Sequence, residues 1–265
     1  MFEMRHLVEP QSLEEAYSAL VANRHNRLLG GCMFLKMGHK LINHGIDLRA
    51  LKLDTISRSD GWIDIGATCT YGDITSHDWL KGYAGGLIPQ ALNHIVGVQL
   101  RNGVQVGASI FSKYGFSDFI PALLAVGAEV TLHHAGRLTV ADFLIRPLSR
   151  DILVAVHLPD HPLIAAYQSL RLTASDLPIV NCAVAKNLET ATWRVAVGAM
   201  PSRAQLIPAA ADILSTQGLT DQAIAAVAAI AQDSLPYGTN ARASASYRRA
   251  MAGVILQRAL KEVRV

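Results

Sequence analysis

The chain has 265 residues, of which 51% are hydrophobic and 17% charged, enough for one large domain or two modest ones and too apolar for a disordered chain. Lys and Arg number 24 against 21 Asp and Glu, a net charge of +3, with no basic block and no aromatic–basic interleaving. That excludes the electrostatic footprint of a nucleic-acid binder.

Cys32, Cys69 and Cys182 are odd in number and far apart. They argue against a disulfide framework and against a thiolate metal site, and they suit a reducing compartment. No apolar run reaches bilayer length and no signal core follows Arg5 and His6, so no membrane segment and a cytoplasmic setting are expected.

In chain order, Ser12-Leu-Glu-Glu15 is a capping box that opens a helix through about Val21, with Leu13, Ala16, Tyr17 and Leu20 on one face. Arg27 to Leu29 is a short strand that ends at Gly30-Gly31. A helix over 34–42 and a strand around 46–48 would complete a β-α-β unit. Residues 54–57 and 62–67 alternate about Ser59-Asp60-Gly61 as a hairpin. A glycine-rich loop over 82–86 precedes a helix over 88–96, residues 98–118 show no clear period, and a helix covers 119–126.

A second hairpin, 129–133 and 137–140, turns at Ala135-Gly136, and a strand over 152–158 ends at Pro159. Asp160-His-Pro162 marks the domain boundary. Beyond it come three strands (165–171, 179–187 and 192–199) and helices over 204–214, 221–230 and 245–263. The last carries Tyr247, Met251, Val254, Ile255 and Leu260 on its apolar side.

The histidines do not signpost a metal site. Pro159 and Pro162 forbid the helix that would bring His157 and His161 together, and His133 and His134 point to opposite faces if they lie in a strand. No nucleophile–base–acid arrangement and no Gly-x-Ser-x-Gly elbow is visible, so no catalytic residue is assigned.

Gly30-Gly31, between a strand and a helix, has two readings. It is a tight turn that needs glycine for its backbone angles, or it bares N–H groups for a phosphate. The segment 100–118 is long, irregular and rich in backbone donors and hydroxyls, as functional loops tend to be. It ends at Asp118, which either caps the following helix or takes hydrogen bonds from a ribose diol.

Together, Leu29-Gly-Gly-Cys-Met33, Ile65-Gly-Ala-Thr-Cys-Thr70, Leu100-Arg-Asn, Val106-Gly-Ala-Ser-Ile110, Ser117-Asp118 and Pro121-Ala-Leu-Leu-Ala125 resemble the FAD-binding (medium) subunit of the xanthine dehydrogenase and carbon monoxide dehydrogenase family of molybdenum hydroxylases. The later segments Tyr167, Asp176-Leu-Pro-Ile-Val-Asn-Cys-Ala183, Val195-Ala-Val-Gly-Ala-Met200 and Ala245-Ser-Tyr-Arg-Arg249 extend the resemblance over nearly the whole chain.

The resemblance implies an α+β fold. A two-subdomain FAD-binding domain of the vanillyl-alcohol-oxidase type would cover 1–160, with subdomains of about 1–52 and 53–160. A C-terminal domain over 161–265 would carry a three-stranded antiparallel sheet and helices. The pyrophosphate would lie against Leu29, Gly30, Gly31, Cys32, Met33, Phe34 and Leu35 and against Val106, Gly107, Ala108, Ser109 and Ile110. Thr70, Ser112 and Lys113 would support it, Asp118 would bind the sugar hydroxyls, and Tyr167 and Asp176 would lie near the flavin ring.

By the same resemblance the chain would carry FAD and no metal. It would take electrons from an iron–sulfur subunit that works with a molybdenum-cofactor subunit, and pass them to an acceptor such as NAD. This sequence departs from the family at Cys32, where Ser or Thr is usual, and at Ala108, where the second loop normally carries glycine. An Ala108 that needs a positive φ or close ligand approach would weaken FAD binding, and restoring glycine would tighten it. The alternative is a relative that has lost FAD and serves as a structural or assembly subunit, or binds another nucleotide.

Overall fold

The computed structural model describes residues 2–147 and 149–263. The chain divides into two compact units. The first comprises Met1–Asp73, Gly97–Ser112 and Glu129–Leu158, and the second Ile74–Val96, Lys113–Ala128 and Pro159–Val265.

The first unit contains two sheets. Strands β1 (Glu3–Val8), β2 (Arg27–Leu29) and β3 (Leu41–Asp47) pair in parallel in the order β1-β3-β2. The helix Leu13–Ala22 starts as its sequence dictates: Ser12 Oγ accepts from the Glu15 N–H at 3.1 Å, and the Glu15 carboxylate accepts from the Gln11 N–H at 2.8 Å. Its inner face, Ala16 and Leu20, forms a small core with Ile46, Leu48 and Ile152.

The second sheet has the order β4-β5-β8-β6-β7, built from β4 (Ile56–Ser59), β5 (Trp62–Gly66), β6 (Glu129–Leu132), β7 (Gly136–Thr139) and β8 (Leu153–Pro159). The β4–β5 hairpin turns at Asp60 and Gly61 with φ of 50° and 78°, the positive pair that a two-residue turn requires.

The second unit is an antiparallel sheet of β9 (Leu163–Leu170), β10 (Val180–Asn187), β11 (Trp193–Gly198) and β12 (Gln205–Leu206), in the order β12-β11-β10-β9. The helices Pro208–Gln217, Asp221–Ser234 and Ala245–Val263 share its core. Every residue of the helix Phe119–Val126 is buried, and that helix packs on β10 and β11. Arg248 is also buried; it donates to the carbonyls of Ile179 and Ala199 and to Asn240.

Several elements differ from the sequence expectation. The helix expected over 34–42 is a single 3-10 turn, Leu35–Met37, because Leu41 onward is drawn into pairing with both β1 and β2. Strand β1 carried no sequence signal; it is mostly exposed and lacks an apolar alternation. The region 98–118 contains the short helices Val98–Arg101 and Val106–Phe111.

The C-terminal sheet gains a fourth, two-residue strand where a helix was expected from 204, and that helix begins instead at Pro208, whose missing N–H costs nothing at a helix start. On the last helix the buried ridge runs through Arg248, Ala252, Ile255, Leu256, Ala259 and Leu260, while Tyr247 and Val254 face outward. His133 and His134 lie in the turn after β6 rather than in a strand. No described helix is long and apolar enough to cross a membrane.

Candidate functional site

The glycine pair closes on the second predicted loop within the first unit. A Cβ at Gly30 would stand 2.2 Å from the Ala108 Cβ, and one at Gly31 (φ +73°) would stand 1.6 Å from the Gly103 carbonyl oxygen. Both glycines are therefore required by close packing of 30–31 against 103–108, whatever binds there. The second loop is itself strapped down: Tyr71 N–H donates to the Val104 carbonyl, Val106 N–H to that of Cys69 and Gly107 N–H to that of Ala67, at 2.8–3.0 Å.

Among the described residues, the N–H groups of Gly31, Cys32, Met33 and Ala108 have no acceptor. Ala108 sits inside the helix Val106–Phe111 with ordinary negative φ and turns its methyl toward Gly30. The backbone strain expected of an alanine there does not arise. The strain is at Cys32 instead, whose φ of 58° is left-handed and costs a non-glycine residue about 1 kcal/mol. Burial, and then the Asp47 carboxylate, push the Cys32 thiol above its usual range.

A cavity of about 340 Å³ opens beside this contact. Leu29, Gly30, Gly107, Ala108 and Ser112 line it, so one wall combines residues from both predicted loops. Sequence reasoning missed Arg27 and Arg150, which also line it. The Arg150 guanidinium donates to the carbonyls of Asn23 and Asn26 at 2.9 and 2.8 Å, and Arg27 donates to those of Arg24 and Asn26. Among the described residues neither has a carboxylate within ion-pairing range. Burial and the neighbouring Arg27 both lower the Arg150 pKa, as two adjoining cations with only neutral partners would.

The other predicted residues are placed differently. Val106 and Ile110 are fully buried and do not line the cavity. The Ser112 hydroxyl donates to the Ala108 carbonyl, and Ser109 is hydrogen-bonded to the Tyr71 hydroxyl. Thr70 and Asp73 bond each other at the start of a helix, the carboxylate accepting from the Thr70 N–H and hydroxyl at 2.8 Å. Phe34 is half exposed and Leu35 opens the 3-10 turn.

Lys113, Asp118, Tyr167 and Asp176 belong to the second unit. There Asp118 does not cap its helix through its side chain; its carboxylate accepts from the Tyr167 hydroxyl and pairs with Arg171. Burial raises the Asp118 pKa, against the lowering charge of Arg171 and the bonds it accepts. Asp176 pairs with Arg242, whose hydrogen bond lowers its pKa. Arg171 and Asn181, which donates to Tyr167 Oη at 3.1 Å, were not among the predicted site residues because their roles depend on tertiary contacts.

One arrangement looks catalytic in outline. Thr131 Oγ1 lies 2.7 Å from His157 Nε2, and His157 Nδ1 lies 2.6 Å from Asp64 Oδ1. The three sit side by side on β6, β8 and β5, and the cavity beside Gly30 is not lined by them. They form a cross-strand polar ladder that satisfies a buried imidazole.

The comparisons with known proteins agree with this architecture. Residues 2–161 match the family model described as FAD binding domain in molybdopterin dehydrogenase, and residues 165–263 match the CO dehydrogenase flavoprotein C-terminal domain. The chain is 23% identical to the nicotine 6-hydroxylase medium subunit of Paenarthrobacter nicotinovorans, covering 96% of this chain and 95% of that protein. It is 25% identical to the glyceraldehyde dehydrogenase medium chain of Sulfolobus acidocaldarius, covering 97% of each.

A chain of the reconstituted CO dehydrogenase from Oligotropha carboxidovorans superposes with a TM-score of 0.88 at 22% identity, over 100% of this chain and 98% of that one, which shows the shared fold. With both family models matched in succession along nearly its whole length, the chain belongs to the FAD-binding medium subunits of the molybdenum hydroxylases, the flavoprotein subunits of oxidoreductases.

Proposed function

We propose that this chain binds FAD and serves as the electron-transfer subunit of a molybdenum hydroxylase-type oxidoreductase. It accepts electrons from iron–sulfur clusters of a partner subunit, which draws them from a molybdenum-cofactor subunit, and passes them to an acceptor such as NAD. One observation carries the reading: Ala108, whose N–H is unpaired, lines a cavity together with Arg27, Arg150 and Gly30, and the unpaired N–H groups of Gly31, Cys32 and Met33 follow directly after Gly30. Backbone donors, plus two guanidinium groups that make no ion pair among the described residues, are what a diphosphate needs. Asp151, the carboxylate in the lining, is turned to the backbone N–H groups of His134 and Ala135.

In this reading Gly30–Met33 and Ala108 bind the pyrophosphate through backbone, and Arg27 and Arg150 supply its electrostatic complement. The family resemblance assigns Asp118 to the sugar hydroxyls and Tyr167 and Asp176 to the flavin ring. The domain division adopted is 1–160 and 161–265, supported by family models that meet between 161 and 165. Bound FAD supplies the redox chemistry, and the protein supplies binding, orientation and local charge. No side chain of this chain is assigned an acid–base step.

The visible spectrum after incubation with FAD and gel filtration tests the reading. Flavin bands that co-elute with the folded chain support it; their absence at saturating FAD sinks it. That second outcome would favour a relative serving as a structural subunit or binding another nucleotide, a reading to which the strained Cys32 gives its specific support. Electron delivery is checked separately, by co-purifying the iron–sulfur partner and following NAD reduction in the assembled complex.

A further inference from the structure

We propose that Glu14, His133 and His134 form a binding site for one borderline divalent transition metal of the class of Zn²⁺. Their ligand atoms all lie within 4.8 Å of one another, and Glu14 Oε2 is 3.3 Å from His133 Nε2. Two imidazoles and a carboxylate are a donor set that suits Zn²⁺ and its neighbours. Mg²⁺ and Ca²⁺ prefer all-oxygen sites.

The three residues come together through tertiary contacts that need no metal. Strand β6 ends at Leu132, so His133 and His134 occupy a turn and escape the alternation that would have sent them to opposite faces. That turn is fixed from below: the His133 N–H donates to the Ile152 carbonyl at 2.8 Å. The buried Asp151 carboxylate accepts from the His134 and Ala135 N–H groups at 3.0 Å each.

The His134 ring packs against Tyr17 at a tilt of 38° with centroids 3.9 Å apart, and the two imidazoles meet edge to face at 5.0 Å. Tyr17 follows Glu14 by three residues on the helix Leu13–Ala22, which places both on one helix face. The capping box at that helix start uses Glu15 and leaves Glu14 to face the turn. Both imidazoles are thus held in place by contacts of their own. The Glu14 side chain, 72% exposed, has the freedom to close the last distance. Metal–ligand bonds of about 2.0–2.2 Å in a tetrahedral site place ligand atoms roughly 3.4 Å apart, so the three groups draw together on binding, with Glu14 the freest to move.

Three protein ligands leave a fourth tetrahedral position for water. The bound ion would tie the first helix to the β6–β7 turn, stabilising the unit that contains both. This site shares no residue with the proposed FAD site, so the two stand or fall separately.

The test uses the full chain, free of any affinity tag, stripped with EDTA and desalted, then titrated with Zn²⁺ by calorimetry. One equivalent is expected to bind the wild type and to be lost in the double variant His133→Ala/His134→Ala. Glu14→Gln should weaken binding at least ~10-fold, since even outer-shell changes commonly cost that much. The turn backbone is held by Asp151 and Ile152, so the variants should keep their fold, checked by circular dichroism.

A melting temperature that rises with Zn²⁺ in the wild type, and not in the double variant, is the second expected result. Equal stoichiometry and affinity in wild type and double variant would overturn the proposal and point to other donors, such as Cys32. No binding by the wild type would overturn it outright.

Discussion

The Tyr167 hydroxyl donates to Oδ1 of Asp118, 49 residues earlier in the chain, and Arg171 donates to the same oxygen. This carboxylate, which does not cap its helix through its side chain, is thereby the centre of a buried polar cluster of the second unit. Tyr167→Phe should cost about 1–3 kcal/mol, the range for an acceptor deprived of a buried donor. Arg171→Met should cost more, about 3–5 kcal/mol, because it leaves a buried carboxylate without its cation. Urea unfolding of the purified chain measures both, and the reverse order would refute the assignment.

The pH dependence of the same cluster has a defined sign. Burial raises the folded-state pKa of Asp118, so the stability this group contributes is full below the unfolded value of about 3.9 and is lost as pH rises through the folded value. The advantage of the wild type over Asp118→Asn should therefore be largest in acid and shrink toward neutrality. Unfolding free energies at about pH 4 and pH 7 decide it, and an advantage that grows with pH would show that Arg171 outweighs burial.

The contact between Gly30 and Ala108 predicts a compensating pair. Gly30→Ala places a methyl 2.2 Å from the Ala108 Cβ and should destabilise by about 1–3 kcal/mol. Adding Ala108→Gly removes that clash, and the double variant should recover part of the loss, measured as a coupling energy of about 1 kcal/mol or more. Ala108→Gly alone should cost about 0.5–1 kcal/mol of helix stability and leave FAD affinity unchanged, since Ala108 is not strained. This replaces the expectation from sequence that glycine would tighten binding.

If FAD binds beside Arg27 and Arg150, charge removal should show in both affinity and salt dependence. Arg150→Met is expected to raise the Kd for FAD roughly 5- to 20-fold and to flatten its dependence on ionic strength, as loss of one buried-facing cation would. Fluorescence titration at low and moderate salt measures it. An unchanged salt slope would remove the guanidinium pair from the site.

Cys32 should be a sluggish thiol. Burial and the Asp47 carboxylate raise its pKa, so its thiolate fraction at neutral pH is below that of free cysteine. Alkylation by iodoacetamide, followed by mass spectrometry, should be slower than for a model thiol. Asp47→Asn should speed it by removing the nearby negative charge.

Much was legible in the sequence because its signals are local. The Ser12–Glu15 capping box, the hairpin at Asp60-Gly61, the strands around Tyr167 and Val195 and the final helix follow from capping chemistry, positive-φ turns and periodicity within one element. The succession of glycine-bearing motifs by itself carries the resemblance to the family.

Tertiary structure decided what depends on partners distant in sequence. Leu41 and its neighbours became strand rather than helix because two other strands were available to pair with them. Gly30 and Gly31 are explained by Ala108 and Gly103, more than 70 residues away by their numbers. Asp118 took its role from Tyr167 and Arg171, Arg27 met Arg150 at a cavity wall, and two histidines met Glu14 across a turn. Local backbone preferences are written in neighbouring residues, whereas charge compensation, close packing and ligand clustering exist only once the chain has closed on itself.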